Sequence, residues 1–332
     1  LKPSALNRKY AHDVLDFIRR SDNFLLSAHI NADGDAIAAM IAVNLLLEKL
    51  GKTSRMVLSD QRMDSRFLYL KNFDKIMSFS QSMINPASPG DFAEAAILLD
   101  VPGYKRLGDV TGLLPDKSCV VKIDHHPTED EMGTIDWADE AASSTTALVY
   151  EVIELSGIEP DVEIAKAIFT GIAYDTGRFS FSNTTSRDFN ICARMIELGA
   201  KPSEITNQLF FENSFLALKT IGKGLASLEN HLDGQVNIIY LGLNEMIKNN
   251  QNEIEELANY SVAIRGGKIG LFIREIEAGL HKVSFRSKCD VDVNVLAKAF
   301  NGGGHARAAG CRIAGTKQQI ISSILHEIKK QL

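Results

Sequence analysis

The sequence predicts an α/β protein: a first domain built on a mostly parallel sheet with helices on both faces, and a smaller α+β domain behind it. Three observations carry this. Apolar runs of strand length alternate with stretches of helical length through residues 23–198. Four of the apolar runs lead straight into acidic or histidine-bearing segments, as expected where strands end at a ligand site. The chain has 332 residues, more than the ~250 to 300 at which one hydrophobic core stops growing.

Taken in order, Asn23 to Ile30 (NFLLSAHI) reads as a buried strand and Asp35 to Leu50 as a helix stopped by Gly51. Ser54–Leu58, Ala95–Val101 and Cys119–Ile123 read as further strands. Helices are expected at Arg62–Lys71, at Ser144–Ser156 before Gly157, at Val162–Ala173, and at Thr185–Leu198, the last closed by Gly199 with Pro202 beyond. The domains are drawn as 1–198 and 216–332, with a linker at 199–215. In the second domain Val236–Leu241, Ile269–Ile276 and Leu280–Phe285 are strand-like, while Glu253–Ala258, Val293–Phe300 and Lys317–Lys330 are helical. The chain shows no internal repeat or low-complexity tract.

An apolar content of 45% with 23% charged residues is ordinary for a globular enzyme and argues against disorder. The longest apolar stretch, Ala36 to Val43, falls short of the ~18 to 20 residues that cross a bilayer. With no basic n-region and h-region at the start, a cytoplasmic protein is expected. Cys119, Cys192, Cys289 and Cys311 are far apart and form no CxxC pair, which suits reduced thiols. Residues 1–214 carry 21 Lys+Arg against 31 Asp+Glu, a balance of −10, and residues 215–332 carry 15 against 11, a balance of +4. An acidic half that attracts cations and a basic half together suit an anionic ligand.

The chemistry lies in four segments: His29-Ile-Asn-Ala-Asp33-Gly-Asp35, Leu98-Leu99-Asp100, Asp124-His125-His126 and Ala173-Tyr174-Asp175. Carboxylates gathered at one sheet edge repel one another unless cations hold them. Each segment taken alone has a structural reading: Asp33 as a helix N-cap, Asp100 at a strand end, Asp175 before Thr176-Gly177 as a turn. Three polar residues directly after Val120-Val121-Lys122-Ile123 fit such a reading poorly. Gly34 is expected to allow a tight turn between the two carboxylates. Mixed carboxylate and imidazole donors suit Mn²⁺, and two such ions ~3.5 to 4 Å apart activate water and clamp a phosphoryl group. Arg106 and Arg178 could reach the cleft and Trp137 and Tyr104 could stack on a base, but surface or packing roles are favoured for all four, and Ser144-Thr145-Thr146 reads as a helix cap.

NADGDA, LLD, DHH and YDTG in this order resemble the DHH phosphoesterase superfamily, which includes RecJ-like nucleases. Val283-Ser284-Phe285-Arg286-Ser287 followed by Asn301-Gly302-Gly303-Gly304-His305 is similar to its DHHA1 domain, so the resemblance covers nearly the whole chain. It implies that His29, Asp33 and Asp100 hold one metal ion and that Asp35, Asp100, His125 and Asp175 hold another, with Asp100 bridging. It further implies that Asp124 orients ligands and that His126 faces the scissile phosphate. In the second domain Gly302, Gly303 and Gly304 would let backbone amides approach a phosphate, with Arg286 and His305 supplying charged hydrogen bonds. Asn301 stands where the family usually has a further glycine, and Asn tolerates the left-handed backbone needed there.

Within the superfamily, the motifs and length resemble the small bacterial enzymes that cut short oligoribonucleotides to 5′-mononucleotides and remove the 3′-phosphate of 3′-phosphoadenosine 5′-phosphate (pAp). Two alternatives stay open: a phosphodiesterase for cyclic di-AMP or pApA, which shares the two-domain pattern, and a nucleotide- or RNA-binding module without turnover. The resemblance implies no membrane partner and leaves room for a homodimer.

Overall fold

The apolar runs of the first half become one parallel sheet in the computed structural model, which describes residues 5–59, 63–80, 93–245, 254–288 and 291–332. The chain divides into two units, Leu1–Glu212 and Asn213–Leu332. The first begins with helix α1 (Ala5–Arg20), strand β1 (Phe24–Ala28), α2 (Gly34–Lys49), β2 (Ser54–Leu58), β3 (Ile76–Ser78), β4 (Ala95–Leu99) and α3 (Tyr104–Leu107). It continues through β5 (Val120–Asp124), β6 (Ile135–Ala138), α4 (Thr145–Ser156), α5 (Val162–Asp175), α6 (Ser186–Glu197) and α7 (Pro202–Thr206). Sheet order is β3-β2-β1-β4-β5-β6, and every pairing is parallel.

Both faces of this sheet are covered, but unequally. Phe24, Leu26, Ile97, Leu99, Val121 and Ile123 face the large core made with α1, α2, α4 and α5. Their neighbours Leu25, Ala96, Leu98 and Val120 face a smaller cluster with Val101, Leu107 and Val110. Strands buried on both sides read as continuous apolar runs, which is why they were visible without alternation. Each fully buried Leu or Ile here contributes about 1.5–3 kcal/mol. Helix α1, β3 and β6 had no counterpart in the sequence reading. Ala11, Val14, Leu15 and Ile18 of α1 are buried at helical spacing.

The helix expected at Arg62–Lys71 is absent among the described residues, where only a 3₁₀ turn forms at Ser65–Phe67. Asp64 Oδ1 accepts from the backbone N–H of Arg66 at 3.0 Å, and its carboxylate also grips that guanidinium. That bond caps the short turn, and Asn72 just beyond takes the left-handed backbone at φ 66, through which a helix does not continue. Residues read as a linker are structured in part: α7 is followed by a π-helical turn at Asn207–Phe211, and Ile205 and Leu209 are buried in the first core.

The second unit comprises α8 (Phe215–Ala226), β7 (Glu229–His231), β8 (Val236–Leu241), α9 (Glu256–Val262), β9 (Ile269–Glu277), β10 (Leu280–Ser287), α10 (Val293–Lys298), β11 (Gly303–Gly304), β12 (Ala308–Ala314) and α11 (Lys317–Ile328). Its sheet runs β11-β12-β10-β9-β8-β7, with β8 and β9 parallel and the other pairs antiparallel. Glu253 and Cys289, named above, lie outside the described residues, and Cys119, Cys192 and Cys311 are free thiols. Among the described residues no helix is long and apolar enough to cross a membrane.

Candidate metal centre

Parallel topology puts the C-terminal ends of β1, β4 and β5 side by side, and each is followed at once by a polar segment. Asp33 N-caps α2, its Oδ1 accepting from the backbone N–H groups of Asp35 at 3.0 Å and Ala36 at 3.2 Å, so the capping reading is also correct. Gly34 is needed for closeness rather than for an unusual φ: a Cβ there would overlap the Tyr174 ring. That approach brings the start of α2 against the end of α5, which carries Asp175.

Asp100 sits at the centre, with its backbone in the left-handed region at φ 55. His29 Nε2 is 3.4 Å from Asp100 Oδ2 and 3.8 Å from Asp33 Oδ2. His125 Nε2 is 3.5 Å from Asp100 Oδ1 and 3.4 Å from Asp175 Oδ2. The other ring nitrogen of each faces a carbonyl: His29 Nδ1 lies 2.9 Å from Ile30 O, and His125 Nδ1 lies 3.4 Å from Ala142 O. With Nδ1–H directed at these oxygens, Nε2 of each ring is the nitrogen turned to the carboxylates, and it is the atom that a neutral ring would offer to a metal.

The helix α4 N-terminus supports the cluster. The N–H groups of Thr145 and Thr146 donate to Asp35 Oδ2 at 2.7 Å and Oδ1 at 3.0 Å, and Thr145 Oγ1 donates to Asp100 Oδ1 at 3.0 Å. Ser144 is indeed the cap of α4, as read, but its two successors also orient carboxylates of the site. The only sequence signal for that role was a run of small hydroxyl residues opening a helix.

Asp124 Oδ1 accepts from the N–H of His125 at 2.8 Å and of His126 at 3.1 Å and lies 2.9 Å from His126 Nδ1. Asp124 Oδ2 is buried with no hydrogen-bond donor. His126 Nδ1 also lies 3.3 Å from Asp100 Oδ1. Among the described residues of the first unit, three sets of donor atoms fall within 4.8 Å of one another: His29, Asp33 and Asp100; Asp35, Asp100 and His125; Asp100, Asp124 and His126.

The electrostatics describe a centre short of positive charge. Burial and then the Asp100 carboxylate push Asp35 well above the usual carboxylate range, and burial with Asp35, Asp33 and Asp100 does the same to Asp175. Burial opposes the charged form of His29, yet Asp100 and Asp33 outweigh it and raise its pKa to about 10. His126 is likewise raised against its burial by Asp100 and Asp124, and Asp100 is held low, despite its own burial, by His126 and His29. His125 is lowered by burial. A buried carboxylate oxygen without a donor, and acids forced to hold protons, are what a cation would relieve. These N and O donors therefore fit divalent metal.

Of the residues read as structural, Arg106 Nη2 is 3.3 Å from His29 Nδ1, so this side chain reaches the centre. Arg178 adopts φ 61, and its guanidinium lies 4.8 Å over the Phe210 ring. Trp137 is fully buried and donates to Asn7 Oδ1 at 3.2 Å, as a packing residue.

In the second unit Gly303 and Gly304 pair with Gly310 and Ala309 of β12, and the N–H of His305 donates to Ala308 O at 2.7 Å to close a tight hairpin. Side chains at Gly302 and Gly304 would strike the β12 backbone, whereas Gly303 has open space. Packing alone accounts for the first and third glycines, and the middle one has no close neighbour that excludes a side chain. Asn301 takes φ 57, the left-handed backbone expected of it. Arg286 Nε donates to Asn259 Oδ1 at 3.0 Å.

Residues 23–172 match the family model for the N-terminal domain of the DHH family, and residues 235–332 match that for the DHHA1 domain. The chain is 29% identical over 309 residues to the bifunctional oligoribonuclease and PAP phosphatase NrnA of Thermus thermophilus, spanning 92% of this chain and 89% of that one. It is 27% identical over 306 residues to the protein of the same name from Bacillus subtilis, spanning 91% and 92%. In fold it is similar to the crystal structure of an exopolyphosphatase-related protein from Bacteroides fragilis, with a TM-score of 0.86 and 22% identity over 97% of this chain and 96% of that one.

Proposed function

This chain belongs to the DHH family of phosphoesterases and carries a DHHA1 domain; from that premise we propose that it hydrolyses short oligoribonucleotides to 5′-mononucleotides and removes the 3′-phosphate of pAp. The observation that carries the reading is the meeting of donors from four separate segments, His29, Asp33, Asp35, Asp100, His125 and Asp175, around one strand edge. The names and extent of the relatives support the substrate class.

In this reading His29, Asp33 and Asp100 hold one ion and Asp35, Asp100, His125 and Asp175 a second. Imidazole beside carboxylate favours Mn²⁺. When bound, such ions polarise the phosphoryl group and lower the pKa of the attacking water. Water adds to phosphorus as the bond to the 3′-oxygen breaks, and that oxygen takes up a proton. His126 is the group to supply it: Asp124 holds its ring, and the neighbouring carboxylates keep it protonated. Arg286, His305 and the backbone at Gly302, Gly303 and Gly304 serve to bind substrate phosphate, Gly303 having the room to do so.

Initial rates with Mn²⁺ on pAp, a 5′-labelled RNA trinucleotide, pApA and cyclic di-AMP test the proposal. Mononucleotides from the trinucleotide together with phosphate from pAp are expected. Preference for cyclic di-AMP would reassign the substrate, and no turnover of any would leave a binding module.

A further inference from the structure

The face of the second sheet that carries Arg286 is organised by helix α9. Lys282, Ser284 and Arg286 alternate along β10 and so share one face, and across the strand pairing they stand opposite Arg274, Phe272 and Gly270 of β9. Helix α9 lies directly on this strip because Gly270, the partner of Arg286, has no side chain; a Cβ there would overlap Ser261 Oγ and the backbone of Val262.

That contact allows Glu255, which precedes α9, and Asn259 within it to reach the strip. Glu255 Oε1 receives Lys282 Nζ at 2.7 Å and Arg274 Nη2 at 2.8 Å, while Ser284 Oγ donates to Oε2 at 3.1 Å. Desolvation would raise the Glu255 pKa, but Lys282 and Arg274 hold it at about 2, so it stays ionised as their counter-charge. One turn on, Asn259 Oδ1 accepts from Arg286 Nε at 3.0 Å, and Arg286 Nη1 donates to Phe285 O at 3.0 Å. The guanidinium is thus held at its inner edge from two directions. An arginine fixed at Nε loses less side-chain freedom when its fork meets a phosphate.

We propose that Asn259 is a positioning residue for substrate phosphate, acting by holding Arg286 in its binding orientation, with Glu255 keeping Lys282 and Arg274 engaged elsewhere on the same face. This rests on the reading that Arg286 binds substrate. Asn259 carries no charge, so its effect is on the cost of ordering the arginine.

The test is steady-state kinetics on pAp with Mn²⁺ for Asn259→Leu, Arg286→Ala and the double variant, with melting temperatures measured alongside. Asn259→Leu should raise KM roughly tenfold, the worth of one hydrogen bond to a charged group, and leave kcat within about twofold. The double variant should match the KM of Arg286→Ala alone. A parental KM for Asn259→Leu where Arg286→Ala raises it overturns the positioning role, and so do multiplying effects in the double variant. A parental KM for Arg286→Ala overturns the substrate role of Arg286 itself, a separate failure. Where Leu lowers the melting temperature, Asn259→Ser removes the same bond with less bulk and is read by the same criteria.

Discussion

Replacing Asp100 with Asn isolates the charge at the middle of the centre. Asn matches its shape and tolerates the left-handed backbone at φ 55, so the loop need not move. What goes is one buried negative charge lying 3.3 to 3.5 Å from ring nitrogens of His126, His29 and His125. At an effective dielectric of about 20, a unit charge pair ~4 Å apart is worth about 4 kcal/mol, or roughly a thousandfold in affinity. Because Mn²⁺ is doubly charged this is a lower bound, and calorimetric titration of metal-free protein with Mn²⁺ should show affinity reduced by at least about three orders of magnitude, with pAp hydrolysis lost alongside. The metal-free fold should survive, because the ion pairs lost at His29 and His126 are offset by relief of Asp35 and Asp175, both pushed up in part by Asp100. Unchanged Mn²⁺ affinity with an intact fold would refute the assignment of Asp100 as a shared ligand.

Further outcomes follow from the same geometry. Thr145→Val removes the hydroxyl donor to Asp100 but keeps the backbone bond to Asp35, so Mn²⁺ affinity should fall about tenfold, as for one charge-assisted bond, and Thr145→Ser should restore it in the same titration. A Cβ at Gly171 would overlap Thr146 Oγ1 and crowd Asp35 Oδ1; Gly171→Ala should destabilise by about 1–3 kcal/mol in urea unfolding and weaken Mn²⁺ binding with it. The pKa values of His29 and His126 are raised in the fold, so the stability they contribute is complete below the ordinary histidine value and is lost as pH rises toward about 10 for His29. Asp35 and Asp175, also raised, add the same sign, since the folded state binds their protons more tightly than the unfolded chain. The melting temperature of metal-free protein should fall between pH 6.5 and 9, and excess Mn²⁺ should stabilise most at the alkaline end, where its ligands need not release protons. A melting temperature that rises over that window without metal would contradict the charge-deficient centre.

Much of the centre was legible because its ligands follow strands buried on both faces. Such strands are unbroken apolar runs, and Asp100 and Asp124-His125-His126 interrupt them abruptly at their ends. Asp33 and Asp35 stood out by close spacing at a helix start, where the cap also has a local rule. The composition and period of these segments determined the strands and the main helices and marked the acidic and histidine segments, while their assignment as two ligand sets came from the resemblance to the DHH superfamily.

Tertiary packing decided the rest. Thr145 and Thr146 act on Asp35 and Asp100 across 45 to 111 residues of chain, a relation with no local pattern. Gly34, Gly171 and Gly270 are glycine because another element passes too close for a Cβ, which no dipeptide rule reveals. Short edge strands such as β3 and β6 exist because a neighbour offers hydrogen bonds, and near Asp64 a single capped turn forms where a helix was expected. Local sequence decided which donors were available, through backbone preference and the hydrophobic period; only the folded chain decided which hydrogen bonds orient them, because those partners are chosen by proximity in space.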